Sequence, residues 1–238
     1  MSKIPLSEIS KVPYYGRSFP FIPWSFTSKV KVSITFAKHL YKTVGLFSFL
    51  GFWLMLPFRW SQASRKYSQG VDLMGNSFGW MAKLEWTLLL IIYEELTNSN
   101  DEEAAYAFAR RAIQDASSFM MDDFYQADRL AKFDDPFEAF WAYHKAMFKD
   151  DPNYPNEMIE EENCRTMIVH QCRNCEIAKL TIPGLSPLGC DHDITGYRAI
   201  EKKVGMEFRR PQTLAKDGQP CKFMFFREGT VPAGIETK

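Results

Sequence analysis

The chain has 238 residues, with 29 lysines and arginines balanced by 29 aspartates and glutamates. With no net charge it has no long-range field to gather a polyanion, which argues against nucleic acid as a partner. Twenty phenylalanines and six tryptophans help bring the aromatic fraction to 15%, which implies a heavy core, an apolar ligand pocket, or both.

Residues 1–28 place Pro5, Pro13, Pro20 and Pro23 among Tyr14, Tyr15, Phe19, Phe21, Trp24 and Phe26. Proline removes helix donors and favours extended backbone, so an irregular arm is expected there. Its aromatic content argues that it packs on something, because disordered tails are poor in such residues. The start MSKIPLSEIS has no apolar run behind a basic residue, and the five cysteines are an odd number. Free thiols in a reducing, cytoplasmic setting are therefore expected rather than a disulfide framework.

Residues 29–150 read as helical. Val32, Phe36, Leu40 and Leu46 are loosely periodic from about Ser28. Val44 to Phe58 is apolar apart from Ser48 and lies between Lys42 and Arg59. It is shorter than the ~20 residues of a membrane span, so a buried core helix stopped by Pro57 is the leading expectation. Interfacial membrane contact, tunnel lining and a span are the alternatives. Ser61 to Gly70 reads as a connection, and Val71 to Leu96 as one long apolar helix. Asn100 followed by Glu103 resembles a capping box for the next helix. Asp135-Pro136 opens another, on which Phe137, Phe140, Trp141, His144 and Phe148 form one stripe. A lone histidine on such a stripe is more often a satisfied core residue than a catalyst.

Lys149 to Pro155 is a loop, and residues 151–238 change period. Cys164 to Cys172 reads as a strand and Cys175 to Leu180 as a helical turn. Asp193 to Val204 reads as a helix stopped by Gly205, with Tyr197, Ile200 and Val204 on one face. Met206 to Arg210 and Cys221 to Arg227 read as paired strands, with Cys221, Phe223 and Phe225 sharing a face. The tail from Gly229 is expected to fray. The architecture is α+β: a helical bundle packed on a small antiparallel sheet with covering helices, forming one compact domain overall.

Chemistry concentrates between His170 and Asp193. Cys172-x-x-Cys175 has zinc-ligand spacing, with Cys190 or His192 available to complete a tetrahedron, but a second tight pair is missing and no metal is expected. Alternatively Cys190, standing just before a helix, is a nucleophile activated by that terminus and by His192, with Asp193 orienting an imidazole or activating water. The bland alternative makes Asp193 an N-cap and Cys190 a small buried hydrophobe. No glycine-rich phosphate loop and no serine elbow is present, and no cofactor is expected.

A strand ending near Cys172, then Pro183-Gly184-Leu185, Cys190-x-x-Asp193 and the closing TLAKDGQPCKFMF with Gly218, Cys221 and Phe223 follow in order. Over Cys164 to Arg227 this resembles the 2-aminothiazoline-4-carboxylate hydrolase family. The resemblance implies hydrolytic opening of a cyclic thiazoline to an N-carbamoyl cysteine. With that chemistry, Asp193 would be base or orienter, Cys190 the nucleophile, and His192 or His170 the proton carrier. Cys172, Tyr197, Cys221, Phe223, His144 and Trp141 would line the substrate. The arm and the Val44–Phe58 run are more apolar than a small polar acid calls for, and only Arg165, Arg173 and Arg198 lie near the motifs. Two alternatives therefore stand beside hydrolysis: a cofactor-independent cyclase, isomerase or lyase acting on a hydrophobic metabolite, and a non-catalytic ligand-binding module.

Overall fold

A computed structural model describes residues 3–17, 25–99 and 102–238. The prolines and aromatics from Pro20 to Trp24, with Phe19, and the Asn100 cap expected from the sequence lie outside them. The elements in order are α1 (Phe26–Lys66), α2 (Ser68–Phe78), α3 (Trp80–Ser99), α4 (Glu102–Tyr125), α5 (Ala127–Leu130) and α6 (Pro136–Phe148), then β1 (Asn156–Glu160), β2 (Cys164–Val169), α7 (Arg173–Lys179), α8 (Leu188–Val204), β3 (Met206–Arg209) and β4 (Cys221–Arg227). The fold is α+β. The strands form one antiparallel sheet in the order β1-β2-β4-β3.

Local chemistry sets many of the ends. Ser25 opens α1 by accepting from the Ser28 amide at 3.1 Å. Asp135 caps α6 through the Glu138 amide at 3.1 Å, with Pro136 in the first turn where its missing donor costs nothing. Gly205 ends α8 in the left-handed region at φ 64°. Other boundaries differ from the sequence reading. Pro57 does not stop a helix; α1 continues through it to Lys66, so Ser61–Lys66 is helix rather than connection. The expected single helix from Val71 to Leu96 is broken at Gly79, whose φ of 92° no helix accepts. Within α1 a similar break falls at Gly45, at φ 74° and ψ 174°.

Among the described residues two large apolar cores and one small cluster result. The first joins α1, α2, α3 and the start of α4 through Leu40, Phe52, Leu90, Leu96 and Phe108. The second joins the end of α4, α6, α8 and the sheet through Tyr125, Phe140, Tyr143, Tyr197, Phe208 and Phe225. Helix α4 serves both and lies against α8 so closely that a Cβ on Gly196 would stand 2.3 Å from Met121 Cγ. The described part of the N-terminal arm packs as expected. The Ile4 amide donates to Lys132 O at 3.0 Å, and the Tyr143 hydroxyl donates to Pro13 O at 2.9 Å.

Two expectations are overturned. The tail does not fray: Val231 and Ile235 pack beside Cys164, Met224 and Phe226, and Lys238 bonds back to Arg210. The Val44–Phe58 run is not a buried core helix. Phe52 alone of that run is fully buried, while Phe47 is 88% and Leu54 81% exposed.

Candidate functional site

Three pieces of chain meet at one place in the second half of the molecule. After β2 the backbone turns into α7 with Cys172 at the N-cap, and the Arg173 amide is fixed to Asn153 O at 3.1 Å. Cys175 then lies buried one turn on. Helix α8 begins at Leu188, five residues earlier than its sequence suggests, so Cys190 sits inside the first turn. Steps of three and four residues carry Cys190, Asp193 and Tyr197 along adjoining positions of one helix face. The third piece is the β3–β4 connection, with Arg210 and Thr213, followed by Cys221 at the start of β4.

The Thr213 hydroxyl stands between two thiols, 3.0 Å from Cys190 Sγ and 3.4 Å from Cys221 Sγ. The Leu214 amide donates to Cys221 Sγ at 3.3 Å. Asp217 holds this connection in shape by accepting from the amides of Thr213 and Gln219 at 3.0 and 3.2 Å. Arg210 has 0% of its surface exposed. Its Nη1 donates to Asp193 Oδ2 at 3.1 Å, and its Nη2 donates to Cys190 O at 2.8 Å and Lys238 O at 3.3 Å. The guanidinium also lies 5.6 Å above the Phe223 ring centre. Its Nε is buried without a partner among the described residues. A buried cation needs a counter-charge, and Asp193, whose side chain is 27% exposed, supplies it.

The thiols differ in acidity. Burial pushes Cys190 up to about 11, with Arg210 and Thr213 offsetting only part of it. Burial also raises Cys221. Cys172 and Cys175 share a hydrogen bond, which raises Cys172 and lowers Cys175, because the proton held by one stabilises the thiolate of the other. Beside them the Asn174 amide donates to the Tyr154 hydroxyl at 3.1 Å. Burial, followed by the charges of Cys172, Asp193 and Asp151, raises Tyr154.

Behind Asp193 runs a buried string of polar atoms. The Tyr197 hydroxyl is 2.9 Å from that of Tyr125, which is 2.7 Å from His144 Nδ1. Burial lowers His144 from the usual 6.5 to about 3, so its ring is neutral, and its Nε2 has no partner among the described residues. Asp191, one residue past Cys190, faces α4 instead. It accepts from Tyr106 at 2.8 Å and lies 3.3 Å from Arg110 Nε and 3.7 Å from Lys216 Nζ.

A profile of the family described as L-2-amino-thiazoline-4-carboxylic acid hydrolase matches residues 81–225. The chain belongs to this family. No curated protein and no solved structure matches it. The hydrolase-family match starts in α3, so it takes in helices α4 to α6 as well as the Cys164–Arg227 stretch that carried the resemblance. Every residue of the thiol cluster falls inside it, while α1 and α2 fall outside.

Within this family framework the structure brings Cys172, Cys190, Asp193, Tyr197, Cys221 and Phe223 near one another. His144 connects to Tyr197 through the Tyr125 hydroxyl. His192 stands at the rim, with Nδ1 3.5 Å from Asp193 Oδ1 and Nε2 buried without a described partner. Two nominated residues point elsewhere. His170 is half exposed at the end of β2, 3.8 Å from Glu157. Trp141 donates to Glu160 at 3.0 Å and stacks on His144. Cys190 does not precede a helix and Asp193 is not an N-cap, since Pro187 occupies that position. The expected activation of Cys190 fails for a physical reason: desolvation outweighs the nearby guanidinium.

The sequence reading missed Arg210, Thr213, Tyr125, Tyr154 and Asn174. The arginines it noted near the motifs lie elsewhere: Arg165 pairs with Glu138 at 2.7 Å, Arg173 pairs with Glu176, and Arg198 is exposed. Cys175 was visible only as half of a zinc-type pair. Among the described residues no three His, Cys, Asp or Glu side chains are placed to hold a metal ion.

Proposed function

We propose that this chain is a hydrolase that opens a small nitrogen- and sulfur-containing heterocycle at the Cys172–Cys175–Cys190–Asp193–Cys221 cluster. What supports the reading is that four of the five cysteines and an aspartate paired to a wholly buried arginine converge inside the family-matched span. In this reading Asp193 takes a proton from water as the water oxygen bonds to the ring carbon between nitrogen and sulfur, and passes it to the ring nitrogen, which receives the electron pair of the opening C=N bond. The carbon–sulfur bond then breaks as the new hydroxyl becomes a carbonyl, and the hydroxyl proton moves to the departing sulfur, which leaves as a thiol. Arg210 fixes the carboxylate and balances its charge. Cys175, the more acidic of its pair, is the thiol best suited to a nucleophilic or proton-transfer role. Cys190 and Cys221, held protonated through burial, serve as hydrogen-bond donors and wall. The free cysteines fit a reducing compartment, and we place the enzyme in the cytoplasm.

The cyclase and isomerase reading drew on the aromatic load, but the rings around His144 and Tyr197 fill space against one another. Tyr197, Phe208 and Phe225 stand 4.6 to 5.5 Å apart, and His144 and Phe225 4.9 Å apart. Purified chain should release free thiol from 2-amino-thiazoline-4-carboxylic acid. Asp193→Asn and Cys175→Ser should each slow that release by about 100-fold or more. Thiol release unchanged in both Asp193→Ala and Cys190→Ala would remove this site from the reaction. Binding of the acid without turnover would favour a non-catalytic ligand module.

A further inference from the structure

Helix α1 lies outside the family-matched span and has its own surface chemistry. From Phe26 to Lys66 it contains five lysines and two arginines and no aspartate or glutamate, in a chain with no net charge. Arg59 pairs with Glu95 at 2.8 Å and Lys66 pairs with Glu94. Lys38 and Lys42 are exposed and make no ion pair among the described residues. Past the break at Gly45, Leu46, Phe47, Leu50, Trp53, Leu54 and Phe58 recur at three-to-four spacing, every one at least 41% exposed. The opposite side is fixed inward, with Phe52 buried and Phe49 and Leu56 packed on the first core. The orientation of the stripe is therefore set by packing, and it faces away from the molecule.

Water does not tolerate a strip of this size without a covering partner. A second copy is a poor candidate, because joining two such helices would bring two wholly cationic elements together. The charge calls for an anionic partner and the stripe for an apolar one. A bilayer with anionic headgroups offers both at the right depth. By length and composition Thr27–Lys66 could cross a membrane. However, Lys38 and Lys42 precede the Gly45 break, and the apolar stretch from Leu46 to Phe58 is only about 20 Å long against a hydrocarbon core of about 30 Å. Such a helix lies in the interface plane, with its aromatics at headgroup level.

We propose that α1 docks this protein onto an anionic lipid surface, with the Leu46–Phe58 stripe sunk at the acyl boundary and Lys38 and Lys42 against lipid phosphates. The test is flotation of the full chain with phosphatidylcholine vesicles, with and without phosphatidylserine. Binding should need phosphatidylserine and weaken with salt. Phe47→Glu with Leu54→Glu should reduce bound protein about tenfold or more. Lys38→Glu with Lys42→Glu should reduce the preference for phosphatidylserine by a similar factor. All four side chains face solvent, so circular dichroism should be unchanged in both variants. The proposal is overturned if the chain floats with neither vesicle, or floats equally with both and ignores both variants. It is also overturned if lipid-free chain is a dimer that the Phe47/Leu54 variant dissociates.

Discussion

At the scale of single residues, burial decides which groups carry charge. Arg210 has no exposed surface, and Asp193 with two backbone carbonyls accepts from its Nη1 and Nη2, a fork that lysine could not reproduce. His144 is the opposite case, since it stays neutral in an apolar wall. In the unfolded chain its ring takes a proton near pH 6.5, whereas the folded ring resists until about pH 3. The unfolded state therefore binds the extra proton across that window, and stability falls as the pH drops through it. The slope approaches about 1.4 kcal/mol per pH unit for this one group. Urea unfolding of wild type and His144→Phe between pH 7 and pH 4.5 should show a steeper acid loss in wild type; parallel curves would contradict the assignment. Residue types were legible where chemistry clusters in sequence, as at Cys172, Cys190 and Asp193. Arg210 was not legible, because a basic residue between two short strands looks the same whether it faces water or a carboxylate.

At the scale of elements, the α4–α8 contact positions the site, because α8 carries Cys190, Asp193 and Tyr197 while α4 carries Tyr125. Gly196 makes that contact possible. An added methyl would meet Met121 Cγ at 2.3 Å and Met121 Cβ at 3.3 Å, so the helices or the side chain must yield. Gly196→Ala should cost about 1–3 kcal/mol in urea unfolding, as overpacking does. Combined with Met121→Ala, the loss should be less than the sum of the two single losses, since the second change removes the obstruction. Strict additivity would place the strain elsewhere. Helices with caps and clear periods, such as α6, were readable from the chain alone. The start of α8 was hidden because Gly189 and a proline-rich approach mask it. β1 was hidden because its exposed glutamates leave no apolar alternation.

At the scale of the molecule, the helical bundle and the sheet-bearing half share α4. It places Ala105 and Phe108 in one core and Met121, Phe124 and Tyr125 in the other. Shared burial of this kind couples the two halves. Urea transitions followed by tryptophan fluorescence and by far-ultraviolet circular dichroism should therefore coincide, and separate midpoints would show that the halves unfold independently. The sequence reading suggested a boundary at Lys149–Pro155, whereas the two cores meet within α4, and that coupling depends on contacts between distant segments. Leu185 and Leu188 belong to the bundle core, yet Cys190, two residues on and 6% exposed, faces the thiols of the other half. An electrophile too large to slip past that seam must wait for both halves to breathe. The pace at which Cys190 is alkylated then becomes a clock for the opening of the entire chain.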